Sequence, residues 1–137
     1  MKKILLTIFL VICFVGVGNA QTTLALQEKC AEGAKKFFDD GGLKFKERME
    51  SGTWYNNYEW HYNKKLDKCF ILVTSFRESG GKEGLTYHYE VLYDVFEGKI
   101  YGEISGFVGE ATSGIVKGKS CKSQVECEAL IKPYMEE

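Results

Sequence analysis

A period-two alternation of apolar and polar residues narrows the fold of this chain more than any other feature. It starts at Thr53 and returns in LTYHYEVLYDVF at positions 85–96 and in FEGKIYGEISGF at 96–107, whereas CFILVTSF at 69–76 is apolar on both faces, as in an interior strand. A repeat of two places successive side chains on opposite faces of a β-strand. The sequences NKKLDK, ESGGKEG and Glu97-Gly98 separate the stretches and are rich in turn residues. We therefore predict a four-stranded antiparallel meander.

Two helices are predicted to flank this sheet. Apolar residues recur at three- and four-residue steps over about residues 23–39, and Gly41-Gly42 ends that helix. A short C-terminal helix begins after Ser123, which forms a capping box with Glu126. Its inner side is expected to carry Val125, Ala129, Leu130 and Tyr134. The fold class is thus α+β, with the N-terminal helix packed on one face of the sheet.

The alternation also predicts which residues face each other across the strands. The expected pairs in the first hairpin are Tyr62–Cys69, Trp60–Ile71 and Tyr58–Val73. With Glu97-Gly98 as a two-residue turn, those in the last hairpin are Val95–Ile100, Tyr93–Gly102, Val91–Ile104 and Tyr89–Gly106. Seven aromatic residues then share the face under the first helix, where we expect them to pack in the core: Trp54, Tyr58, Trp60, Tyr62, Tyr87, Tyr89 and Tyr93.

Four cysteines remain after the N-terminal segment, and an even number in a small exported chain predicts two disulfides. Cys69 lies on the aromatic face and Cys30 on the apolar side of the first helix. We predict that they pair, which would contribute about 4 kcal/mol on the chain-entropy model. Cys121 and Cys127 flank the start of the second helix and would form a local bridge worth about 2 kcal/mol. A rearranged pair of Cys30 with Cys121 remains open.

Residues 1–20 have the pattern of a secretory signal peptide. Lys2 and Lys3 precede an apolar run, and Gly18-Asn19-Ala20 supplies small residues for cleavage after position 20. We expect residues 21–137 to form a single disulfide-stabilised domain that is periplasmic or secreted in a bacterium, with no membrane span after signal removal.

The charge of the chain argues against nucleic acid as a partner. Losing the two leader lysines lowers the basic residues from 18 to 16 against 19 acidic ones, so the net charge is −3. The lysines are interleaved with acidic residues and form no basic stripe.

Two histidines are the candidates for acid–base or metal chemistry. The expected register places His61 opposite Phe70 and His88 opposite Phe76, about 20 Å apart along the strands, which rules out a shared metal site. We predict no metal and no cofactor. A dyad of His61 with Glu59 or Asp94 stays open as the basis of a small periplasmic hydrolase.

No motif for nucleophilic or nucleotide chemistry is present. No serine stands in a G-x-S-x-G elbow. The stretch GIVKGKS resembles a phosphate loop, but Ser113 occupies the position of its first glycine. We interpret residues 108–122 as a glycine-containing surface loop and assign no structure to residues 43–52.

The other face of the sheet is the best candidate for a binding surface. An apolar patch of this size is seldom left unused unless the last helix or the 108–122 loop covers it. We therefore expect a non-enzymatic module that binds a protein or a component of the cell envelope, with a secreted enzyme inhibitor as a further alternative; the oligomeric state stays undetermined. The candidate patch consists of Phe70, Leu72, Phe76, Leu92, Phe96, Tyr101 and Phe107.

The segments EKCAEGAKKFF, HYNKKLDKCFIL and EVLYDV, between residues 27 and 96, together resemble a group of small uncharacterised exported bacterial proteins. The resemblance brings no catalytic motif and no assigned activity. It implies that Cys30 and Cys69 occur together, in agreement with the bridge predicted above.

Overall fold

The computed structural model describes residues 22–50, 52–78, 86–108 and 112–136. Within these residues the elements in chain order are α1 (22–40), β1 (Lys46–Met49), β2 (Gly52–Asn63), β3 (Lys68–Glu78), β4 (Thr86–Asp94), β5 (Lys99–Phe107), β6 (Ser113–Val116), β7 (Lys119–Cys121) and α2 (Gln124–Met135). The strands form one antiparallel sheet in which each strand pairs with the next in the sequence. The sheet lies between α1 on one face and α2 on the other. The expected signal peptide, residues 1–20, lies outside the described residues.

The predicted four-stranded meander is wrong, because three more short strands extend the sheet to seven. β2 to β5 are the strands that the alternation indicated, and β1, β6 and β7 add to both edges. β1 has the sequence KERM, which is mostly exposed and carries no alternation. Lys117 and Gly118, with φ angles of 50° and 77°, form the tight turn between β6 and β7. Residues 113–121 of the expected loop therefore form a hairpin.

The first helix agrees with the prediction and packs on one face of the sheet. At its end the N–H of Gly41 donates to the carbonyl of Phe37 at 3.1 Å, and Gly42 has a φ of 69°. The predicted Cys30–Cys69 disulfide is confirmed, with the two Cα atoms 5.4 Å apart. The core under the helix contains Cys30, Ala34, Phe38, Tyr62, Cys69, Ile71, Val73 and Val95.

The second helix has the predicted cap and disulfide but a different inner face. The side chain of Ser123 accepts the N–H of Glu126, and Cys121 is bonded to Cys127. Val125 is 76% exposed and Ala129 is exposed as well, whereas Ile131 is buried with Cys127. The disulfide ties Cys127 to the end of β7, so the side of the helix that carries Cys127 must face the sheet. Of the four predicted inner residues only Leu130 and Tyr134 pack there.

The register is as predicted in the first hairpin and different in the last. All three predicted pairs between β2 and β3 are confirmed. The turn between β4 and β5 has four residues, 95–98, because Asp94 Oδ1 accepts the N–H groups of Phe96 and Glu97 at 3.1 Å each. A bulge then leaves Tyr101 without a partner on β4, so Gly102 faces Leu92. The four pairs predicted between these strands are therefore wrong.

Candidate functional site

The seven residues of the predicted apolar patch do not form one exposed surface. Phe70 and Leu92 are fully buried, and Leu72 and Tyr101 pack with them beneath the C-terminal end of α2. Phe76 is exposed and stacks on His88. The remaining two lie elsewhere: Phe96 covers Gly33 on the α1 side, and Phe107 contacts Tyr87 edge-on. The second helix therefore covers most of the patch.

His61 does not form a dyad with Asp94. Both residues face Phe70, which lies between them on β3. The Asp94 carboxylate is 2% exposed and binds Lys68 Nζ at 2.5 Å as well as the turn N–H groups. Lys68 Nζ also donates to Glu97 Oε1 at 2.6 Å. The hydrogen bond to Asp94, and after it the one to Glu97, raises the pKa of Lys68. His61 Nε2 has no hydrogen-bond partner, and within the described residues Glu59 makes no bond to it.

His88 and Glu90 form a second histidine–carboxylate pair. His88 Nε2 lies 2.7 Å from Glu90 Oε1, and both side chains are largely buried. They line a cavity of about 320 Å³ together with Phe76, Thr112 and Gln124. No cysteine or serine lines this cavity among the described residues, and Thr112 makes no hydrogen bond to His88. Among the described residues, no nucleophilic side chain is aligned with this pair.

The first helix covers only part of its face of the sheet. Tyr62 is buried beneath it, and Tyr58 and Tyr93 pack against it, but the other four aromatic residues expected there do not belong to that core. A helix is about 10 Å wide, whereas seven strands spaced about 4.8 Å apart make a sheet about 29 Å wide. Within the described residues the core under α1 includes no side chain from β5, β6 or β7. The prediction that all seven aromatic residues are covered is therefore wrong.

A row of four partly exposed residues crosses the part of this face that α1 does not cover. We call Trp54, Arg77, Tyr87 and Phe107 the aromatic–arginine row, since they stand directly opposite one another on β2, β3, β4 and β5. The guanidinium carbon of Arg77 lies 5.6 Å from the ring centroid of Trp54 and 5.5 Å from that of Tyr87. Tyr87 and Phe107 meet edge-to-face with centroids 5.4 Å apart. The four side chains thus form one continuous contact surface.

A polar depression adjoins the row on the same face. We call it the serine depression: it has a volume of about 560 Å³ and is lined by Tyr89, Glu103, Ser105, Ser113, Ser120 and Lys122, among others. The Tyr89 hydroxyl donates to Glu103 Oε1 at 2.8 Å. Burial first, and then the hydrogen bond and negative charge of Glu103, raise the pKa of Tyr89 to about 12. The phenol therefore stays protonated at neutral pH and holds the Glu103 carboxylate in place.

Sequence reasoning missed this surface because it assigned Trp54 and Tyr87 to the core and placed Phe107 on the other face of the sheet. The available signal was the polar sequence of the strands that follow. Glu103 and Ser105 alternate with apolar residues on β5, and Ser113 and Ser120 continue the polar pattern on β6 and β7. A face that carries glutamate and serine on three neighbouring strands is not a buried face.

No protein-family model, curated protein or solved structure matches this chain. In the described part of the chain, no helix has the length and apolar character needed to cross a membrane. The same residues contain no group of three or more histidine, cysteine, aspartate or glutamate side chains placed to hold a metal ion.

Proposed function

We propose that this chain is a non-enzymatic, exported binding domain whose partner is a protein that lies across the aromatic–arginine row. The observation that carries the proposal is the row itself: tryptophan, arginine, tyrosine and phenylalanine in contact on a face that α1 leaves uncovered. Tryptophan, tyrosine and arginine are the residues that dominate binding energy at protein interfaces. Phenylalanine is likewise enriched there.

The shape of the surface favours a protein over a small molecule. Small-molecule pockets enclose most of their ligand, whereas the row and the serine depression lie side by side on one broad sheet face. Tyrosine and tryptophan give rigid contact area, and serines such as Ser105 and Ser113 give adaptable hydrogen bonds. This combination suits a protein surface.

The scaffold supports a preorganised interface. The row sits on β2 to β5, the longest strands of the sheet, and the Cys30–Cys69 bridge joins that sheet to α1. Rigid elements lower the entropy lost on association. Two disulfides are compatible with the expected extracytoplasmic location.

The hydrolase alternative has less support. The hydrogen bonds of the Asp94 carboxylate run to Lys68 and to the turn, and Phe70 separates it from His61. His88 and Glu90 are paired, but no serine or cysteine among the described residues shares their cavity.

Site-specific photocrosslinking tests the proposal. A photoreactive phenylalanine analogue in place of Tyr87, in cells that export the chain, should give one discrete protein adduct that Trp54→Ala abolishes. The same analogue at Phe96, an exposed aromatic residue at the opposite end of the sheet, is the matched control. The absence of an adduct at position 87, or the same adduct at both positions, would overturn the proposal. A crosslink between two copies of this chain would show that the row mediates self-association, and the proposal of a different protein as partner would be wrong.

A further inference from the structure

Arg77 has no hydrogen-bond acceptor on this chain within the described residues. Its Nε is buried and has no partner, and the guanidinium forms no ion pair with any described carboxylate. The neighbouring Glu78 accepts instead from the Tyr55 hydroxyl at 3.4 Å. Buried polar nitrogens are normally hydrogen-bonded, and an arginine offers five N–H donors. The row therefore holds a cation that no described carboxylate of this chain neutralises.

The two rings hold that cation in place. Trp54 and Tyr87 lie at nearly equal distances from the guanidinium carbon, 5.6 and 5.5 Å. Cation–π contacts of this kind attract the guanidinium to both rings and restrict its position. A planar guanidinium held in this way can donate two parallel hydrogen bonds to one carboxylate, which a lysine ammonium cannot do.

Two carboxylates stand near the row, and neither pairs with Arg77 among the described residues. Glu47 faces Trp54 on β1, two strands away from Arg77. Glu103 lies two residue rows away, about 13 Å along the strand, and is held by Tyr89. On the far side of the depression Lys122 adds a second positive charge. An acidic partner segment would meet Arg77 first and Lys122 at the other end.

We infer that the aromatic–arginine row recognises a carboxylate of its partner, bound in bidentate fashion by Arg77 and flanked by apolar side chains that pack on Trp54, Tyr87 and Phe107. This inference rests on the proposed function and names the chemistry of the partner at that site. The carboxylate belongs either to an aspartate or glutamate side chain or to a C-terminus, and both present the same two oxygens.

Peptide selection tests the inference on the exported, disulfide-bonded chain. Random peptides displayed on phage are selected against the natural protein, and the enriched sequences are synthesised with free and with amidated C-termini. We expect an acidic residue at a fixed distance from an aromatic one. Its replacement by the amide (Asp→Asn or Glu→Gln) should weaken binding about tenfold or more, as loss of a charge-assisted pair does. If amidation alone weakens binding, the carboxylate is the C-terminal one.

Three variants of the natural protein complete the test. Arg77→Gln should remove the preference for the acidic peptide over its amide form, and Arg77→Lys should restore only part of it. Trp54→Ala should weaken both forms alike. Circular dichroism checks that the variants fold. If Arg77→Gln does not fold, the comparison of the acidic peptide with its amide form on the natural protein still tests the inference.

The outcomes separate the two proposals. Peptides that need Trp54 and Tyr87 but show no acidic preference would overturn the role of Arg77 and leave the binding function standing. If the acidic peptide binds Arg77→Gln as tightly as it binds the natural protein, the role of Arg77 is likewise overturned and the binding function stands. If no selected peptide depends on Trp54 or Tyr87, both proposals fail together.

Discussion

Asp94 Oδ2 lies 2.5 Å from Lys68 Nζ at the start of the turn between β4 and β5, while its other oxygen accepts two backbone N–H groups of that turn. One carboxylate thus joins the start of β3 to the end of β4 and sets the length of the turn. Because the turn has four residues instead of two, the register of β5 against β4 differs from the one that the alternation predicted.

Replacing Asp94 should be costly for the fold. Asp94→Ala removes the acceptor of the turn N–H groups and leaves Lys68 with Glu97 alone. We expect the free energy of unfolding to fall by about 3 kcal/mol, measured by urea denaturation. Glu97→Gln is the matched control, because it removes the other, exposed partner of Lys68 and should cost about 0.5 kcal/mol. Equal losses would show that the buried carboxylate has no special role.

The two disulfides should differ in their contribution to stability. Cys30–Cys69 closes a loop with a sequence separation of 39, and Cys121–Cys127 one with a separation of 6. The chain-entropy model gives about 4 kcal/mol for the long loop and about 2 kcal/mol for the short one. Paired alanine substitutions should therefore lower Tm more for the first bridge, as read by calorimetry. The reverse order would mean that native-state packing, rather than loop closure, sets the effect.

The Tyr89–Glu103 hydrogen bond should be visible in the pH dependence of stability. The folded-state pKa of Tyr89 is about 12, whereas an unfolded tyrosine titrates near about pH 10. Its contribution to stability is therefore complete below pH 10 and is lost as the pH rises towards 12. Tyr89→Phe should lower the unfolding free energy by about 0.5–1 kcal/mol at pH 7 and flatten its decline above pH 10.

Absorbance at 295 nm provides the control for this assignment. Glu103→Gln removes the negative charge next to the phenol and should lower the pKa of Tyr89. A tyrosine titration that is identical in the natural protein and in Glu103→Gln would contradict the assignment.

The face that α2 presents to the sheet can be tested by two substitutions. Ile131 is buried, and Ile131→Ala should lower the unfolding free energy by about 2–4 kcal/mol. Val125 is exposed, and Val125→Ser should change it by no more than about 0.5 kcal/mol. Urea denaturation of both variants measures these changes. A larger loss of unfolding free energy for Val125→Ser than for Ile131→Ala would mean that α2 faces the sheet with the side that the apolar pattern predicted.

The hairpin of β2 and β3 was predictable because its two strands are long and the aromatic residues of β2 alternate with polar ones up to the NKKLDK turn. Tyr62 faces Cys69 and Tyr58 faces Val73, as the pattern requires. The β4–β5 register was not predictable, since it depends on the capping of the turn by Asp94 and on the extra residue at Tyr101. Neither feature changes the apolar pattern of the strands.

The short edge strands and the candidate site escaped prediction for a different reason. Four residues such as those of β1 are too few to show a period, and the β6–β7 hairpin has the glycine content of a loop. The row around Arg77 depends on how far α1 extends over the sheet, which is a tertiary property. The sequence signal that part of this face stays in contact with water was its polar residues, Glu103, Ser105, Ser113 and Ser120.

Both disulfides join cysteines that are consecutive in the chain, Cys30 to Cys69 and Cys121 to Cys127. A polypeptide that emerges N-terminus first into an oxidising compartment would expose Cys30 and Cys69 before either of the later thiols. Oxidation in the order of emergence then yields the native connectivity directly, and thiol–disulfide exchange has no wrong pairing to correct. Because every strand also pairs with its successor, the sheet can grow one hairpin at a time behind the first bridge.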